Sequence, residues 1–166
     1  MAHEHERHDH VLATVRDIGD ALSSLPLLAS DCMRGTRLVA LTRDASGRAL
    51  LEFRLVVRPE HANAAGVLFG GHVATICDHV TSMAVTADEL LRSGGHARDH
   101  VTMNINFNCM SAAAVGDELR VVARADRVGG AVAFASMEAF DAATGALRYT
   151  ATHVKRLLKS TRAPKL

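Results

Sequence analysis

The sequence predicts an α+β fold in which one long helix lies against an antiparallel sheet of about six strands. Two observations carry that prediction. Over residues 71–92, Val73, Ile76, Cys77, Val80, Met83, Ala84 and Ala87 recur at three- and four-residue steps, while the other side holds mostly small residues. Such a helix is covered nearly all round. After it, four strand-like runs are joined by tight turns, which makes neighbouring strands antiparallel.

The elements follow in order. Residues 1–10 are polar and hold His3, His5, His8 and His10, and read as a disordered start. Residues 11–25 place Val11, Leu12, Val15, Ile18, Leu22 and Leu25 on one face, and Pro26 ends that helix. A hairpin follows, with strands over 37–42 and 48–57 and a turn at Asp44-Ala45-Ser46-Gly47. After the long helix, Ser93-Gly94-Gly95 breaks the chain. Val101, Met103, Ile105, Phe107 and Cys109 then alternate with Thr102, Asn104, Asn106 and Asn108, giving a strand with one apolar and one polar face. Further strands begin near Gly116-Asp117, return over 131–140 and end over 146–158.

The 166 residues fit a single domain over 11–160, followed by a basic tail at 161–166. Apolar residues make up 48% and aromatics only 4%, so the core is built from Val, Leu, Ala, Met and Ile. With 19 basic and 18 acidic residues, the chain has no general attraction to nucleic acid or membrane. No apolar run approaches the ~20 residues of a membrane helix. Cys32, Cys77 and Cys109 are odd in number and form no CxxC pair, which points to a reducing compartment; Cys77 and Cys109 read as buried, inert thiols. No targeting segment is evident, so a cytoplasmic location is expected, with the mitochondrion as the alternative.

The stretch His61-Ala-Asn63-Ala-Ala-Gly66-Val-Leu-Phe69-Gly70-Gly71, followed by Asp78, carries the chemistry. Backbone N–H groups at a helix start can hold a developing negative charge. A carboxylate within an otherwise apolar helix needs a partner or a cleft, and can act as a base or nucleophile. Together these features suggest acyl chemistry.

The pattern HxNxxGxLxGG with Asp seven residues after the second Gly resembles the hotdog-fold thioesterases of the phenylacetate-pathway and acyl-CoA thioesterase 13 type. Met110-Ser111, leading to Gly116-Asp117, resembles a later stretch of that family, and Thr144-Gly145 its usual turn before the last strand. The resemblance spans roughly residues 35–160. It implies a hotdog fold, a long central helix wrapped by the sheet. It also implies homodimers, often paired into a dimer of dimers, with the active site at the subunit interface.

By the same resemblance Asp78 matches the catalytic carboxylate, and Asn63 the loop amide that places the water or thioester. Gly70 matches the donor to the thioester carbonyl, and Thr102 a hydroxyl that holds water. Gly71, Phe69, His61 and Ser82 are expected to bind substrate. Arg127, Arg148, Lys155 and Arg156 are possible contacts for the phosphates of coenzyme A. Neither cofactor nor metal is required, since the acyl-CoA is the substrate. One departure stands out: the family often has His-Gly-Gly where this chain has Phe69-Gly70-Gly71. The expected activity is hydrolysis of a medium-to-long fatty or aromatic acyl-CoA; the alternative is a non-catalytic acyl-CoA-binding or structural dimer.

Overall fold

The computed structural model describes residues 2–24, 33–93 and 95–159. Its elements are α1 (Ala2–Ser24), β1 (Thr36–Arg43), β2 (Ala49–Val56), a 3-10 turn (Pro59–His61), α2 (Gly70–Ser93), β3 (His100–Cys109), β4 (Glu118–Val128), β5 (Val132–Asp141) and β6 (Leu147–Leu157). The strands form one sheet in the order β1-β2-β4-β5-β6-β3, with every pairing antiparallel. The long α2 packs on one face of this sheet, which is the hotdog arrangement. β1 and β3 are its edges.

Alternation decides which side of each strand meets α2. In β2, Leu51, Phe53 and Leu55 are buried while Glu52 and Arg54 are partly exposed. On β4, β5 and β6 the inward positions include Ala123, Ala139 and Ala151. These short side chains let α2 lie close to the sheet, where Val73, Ile76, Cys77, Val80, Ala84 and Ala87 fill the space. Each large apolar side chain buried here contributes about 1.5–3 kcal/mol. The hairpin turn forms as its residues require. Asp44 Oδ1 accepts from the N–H groups of Ser46 and Arg48, both at 2.9 Å, and Gly47 takes a left-handed φ of 77°.

Two expectations change. The first helix begins at Ala2 rather than residue 11, so the described part of 1–10 is helical. No Gly or Pro interrupts that run, and the His8 ring reaches Leu41 O of β1 at 2.6 Å, a tertiary contact that local polarity does not reveal. Leu25, Pro26, Cys32 and the tail 161–166 lie outside the described residues. Cys77 is buried, and burial pushes its thiol up to about 12, but Cys109 is exposed because β3 is an edge strand. Among the described residues no helix is long and apolar enough to cross a membrane.

α2 also buries two carboxylates that its apolar spacing conceals, Asp88 and Glu89. Asp88 accepts from Ala49 N at 3.2 Å, Arg48 at 3.1 Å and Arg92 at 3.4 Å. Glu89 is held by Arg98 through its backbone N at 2.8 Å and its guanidinium. Asp88→Ala leaves the buried Ala49 N–H without an acceptor and is expected to cost about 2–3 kcal/mol. Asp88→Asn keeps an acceptor and costs less. Urea midpoints of the two variants check this.

Candidate active site at Asp78 and the start of the long helix

Asp78 lies on the third turn of α2 with its side chain 52% exposed. Its Oδ1 accepts from Thr102 Oγ1 and from Lys155 Nζ, both at 3.1 Å. Thr102 Oγ1 also lies 3.1 Å from His153 Nε2. The far side of that ring, Nδ1, is 2.7 Å from Thr81 Oγ1. Three side chains from β3 and β6, Thr102, His153 and Lys155, thus meet around one carboxylate oxygen on α2. Burial alone raises the Asp78 pKa, but the Lys155 ammonium and the Thr102 hydroxyl outweigh it and hold the carboxyl below its ordinary value. Burial, then Lys155, takes His153 down to about 4, so its ring is neutral near pH 7.

Thr102 reaches this cluster because of a register shift. It pairs with Lys155, whereas Asn104 pairs with Val154, so Met103 is an extra residue in the β3 ladder. The bulge reverses the phase of the strand. Thr102 faces α2 with His153 and Lys155, while Asn104, Asn106 and Asn108 lie on the opposite side of the sheet. Sequence alternation had grouped Thr102 with those asparagines. Thr102→Val is expected to lower kcat about 10–10²-fold, with Thr102→Ser restoring most of it, as measured by steady-state thiol release.

The loop 61–70 is built separately. Asn63 Oδ1 accepts from Ala65 N at 2.9 Å in a local turn, leaving the donor end of the amide, Nδ2, for a ligand. Phe69 O accepts from His72 N and Val73 N, so Phe69 caps α2 and Gly70 and Gly71 are its first residues. Their N–H groups have no carbonyl within the helix to reach. A Cβ on Gly70 would lie 3.8 Å from the Phe107 ring, an ordinary contact. The segment 110–117 braces the loop, with Leu68 N donating to Ala113 O at 2.8 Å and Val115 N to Gly66 O at 3.1 Å. Tyr149 Oη accepts from Ala113 N at 3.0 Å, and Arg148 donates to Ala112 O at 2.7 Å.

The structure therefore joins Asp78 and Thr102, with Ser82 one turn on, its hydroxyl donating to Asp78 O. Asn63, Phe69, Gly70 and Gly71 form a second group at the helix start. His61 is corrected: it is buried, its ring stacks on His72 at 4.3 Å, and Arg58 N donates to its Nδ1 at 3.3 Å. It supports the loop from beneath instead of facing a ligand. Arg148 is engaged with Asp141 at 2.7 Å and with the brace, and Lys155 points at Asp78, so neither is placed for phosphates. Arg127 and Arg156 remain exposed. His153 and the contact of Lys155 with Asp78 escaped the sequence reading. A His and a Lys two apart on one strand share a face, but nothing local says that the face meets Asp78.

The sheet order, with the long helix α2 against one face, is the hotdog fold. The chain belongs to the thioesterase superfamily, whose family model matches residues 65–147. It is 32% identical over 119 residues to acyl-coenzyme A thioesterase 13 of Homo sapiens, covering 72% of this chain and 79% of that protein. The mouse protein of the same name, from Mus musculus, is 31% identical over the same coverage. Among solved structures, zebra fish thioesterase superfamily member 2 overlays with a TM-score of 0.77 at 24% identity, covering 89% of this chain and 98% of that one. A hypothetical thioesterase protein of Streptococcus pneumoniae TIGR4, solved with coenzyme A, overlays with a TM-score of 0.65 at 17% identity, covering 78% and 91%.

Proposed function

We propose that this acyl-CoA thioester hydrolase cleaves a medium-to-long fatty or aromatic acyl-CoA with water activated by Asp78, at a site shared between two copies of the chain. The observation that carries the reading is the anchored, half-exposed carboxylate of Asp78 on the same helix as the open N–H groups of Gly70 and Gly71. Eight helical steps separate Gly70 from Asp78, about 12 Å at 1.5 Å per residue. One thioester carbonyl cannot meet both within a single chain, because oxyanion donors act at about 3 Å. A second copy, with its helix start beside Asp78 of the first, brings the two groups together.

β3 is the edge for that pairing. It is unpaired on its outer side, and Val101, Met103 and Phe107 on it are exposed along with nearby Phe69 and Met110. An exposed apolar edge strand favours pairing with another strand. Two such dimers then pair into a dimer of dimers. The pantetheine arm of coenzyme A enters between copies, with Arg127 and Arg156 as candidate phosphate contacts. The chemistry calls for no cofactor or metal.

In the reaction, Gly70 N–H and Asn63 Nδ2 of one copy polarise the thioester carbonyl. Asp78 of the other takes a proton from water as the water oxygen bonds to the carbonyl carbon. The tetrahedral intermediate expels coenzyme A as its thiolate, breaking the C–S bond. Protonated Asp78 returns its proton to that sulfur, leaving a carboxylic acid and free thiol.

The second reading, a non-catalytic acyl-CoA binder, is favoured by Phe69, whose exposed side chain offers no hydrogen-bond donor beside the glycines. Thiol release from acetyl- to palmitoyl-CoA and phenylacetyl-CoA decides between them. Turnover supports hydrolysis, and the best chain names the substrate class. Tight binding without turnover on every member supports the binder.

A further inference from the structure

The environment of Asp78 is asymmetric. Lys155 Nζ and Thr102 Oγ1 both bond Oδ1, at 3.1 Å each, and neither is placed on Oδ2. Lys155 is itself buried, and its closest charged neighbour is this carboxylate. An ammonium so withdrawn from water is costly unless a carboxylate faces it. The pairing of Thr102 with Lys155 across β3 and β6 fixes both donors on one side of Asp78.

We propose that Lys155 is a positioning residue for the hydrolysis: it fixes Oδ1 of Asp78 and leaves Oδ2 as the oxygen that takes the proton from water. The same ammonium holds the Asp78 carboxyl below its ordinary value. The inference rests on the thioesterase reading of the site. It turns on geometry: a carboxylate tethered at one oxygen by two donors presents the other in a fixed direction. It also gives Lys155 a part in the second half of the reaction. Once Oδ2 has taken the water proton, the adjacent ammonium favours its release to the departing sulfur, because a neighbouring positive charge makes a carboxylic acid stronger.

The titratable groups facing the pair are His153 on β6, His100 on β3, and Cys77 and His79 on α2. Burial keeps the three histidines below their ordinary range, and Lys155 lowers each further. Removing its charge therefore raises Asp78 and the histidines together, and the two effects are separated by observing Asp78 itself.

The test follows kcat/KM against pH for wild type, Lys155→Met and Lys155→Arg, together with carbon-13 titration of the Asp78 carboxyl by NMR. Lys155→Met is expected to move the acid limb upward by about one pH unit or more, with the Asp78 carboxyl moving in step. Lys155→Arg is expected to hold the wild-type limb. A Lys155→Met profile that overlays wild type overturns the proposal. So does a wild-type Asp78 carboxyl that titrates at or above the ordinary value of about 3.9, a result that needs no folded variant. If wild type hydrolyses no thioester, the thioesterase reading fails and takes the role of Lys155 in hydrolysis with it, whereas turnover with an overlaid Lys155→Met profile sinks the role of Lys155 alone.

Discussion

Asp78→Asn is expected to lower kcat by about 10²–10⁴-fold with little change in KM, the range lost when a positioned general base is removed. The substitution is close to isosteric. An asparagine oxygen still accepts from Thr102 and Lys155, which now meet at Oδ1 of the carboxylate. What disappears is the second oxygen as a proton acceptor. Packing around the site is preserved because Asp78 lies on the open side of α2, with the buried side supplied by Cys77 and Val80. Steady-state thiol release on the best substrate of the panel measures the loss, and a thermal melt confirms folding. If turnover stays within tenfold of wild type, Asp78 is a structural carboxylate and the base lies elsewhere.

The severity of that prediction depends on features that the sequence discloses unevenly. The helix and its glycine start were legible because they are local. The three- and four-residue spacing from Val73 to Ala87 and the glycine pair at 70–71 appear in α2 (Gly70–Ser93) as expected. The strands were legible for the same reason, with boundaries shifted by a residue or so. The pairing of β3 with β6 was less accessible, because strands adjacent in the sheet are not adjacent in the chain. Lys155 and His153 gained their meaning only from that pairing.

Thr102 shows a different limit. By resemblance to the family its hydroxyl is expected to hold water, yet alternation along 101–109 sends it to the polar face, away from Asp78. One extra residue in the ladder, Met103, reverses the face. Bulges of this kind carry no obvious residue signature when no glycine is involved. Burial of single groups was also hidden. Asp88 and Glu89, which the apolar spacing of α2 passes over, are paired with Arg48, Arg92 and Arg98, partners 40, 4 and 9 residues away. His61 belonged to the motif by position, but its ring went inward to stack on His72.

The shared site makes an expectation that neither chain meets alone. Gly70→Pro removes one N–H at the first position of α2, where proline suits a helix start. The added Cβ meets the Phe107 ring only at ordinary contact distance, 3.8 Å. The variant is expected to fold and to lose about 10²–10³-fold in kcat, the cost of one oxyanion donor. Mixed with Asp78→Asn subunits under conditions that exchange partners, it is expected to recover. In the mixed dimer one of the two sites combines an intact Asp78 with an intact Gly70, while the other carries both changes. With random pairing of equal amounts, half the dimers are mixed and half their sites work, so activity returns to about a quarter of wild type. Recovery by mixing two inactive proteins has no source if each chain holds a whole site. An equal mixture that remains as inactive as its components, once exchange is shown by mass spectrometry, would place both groups within one chain and remove the basis for a composite site. The 12 Å of helix between Gly70 and Asp78 argues for recovery, because it is about four times the reach of a hydrogen bond.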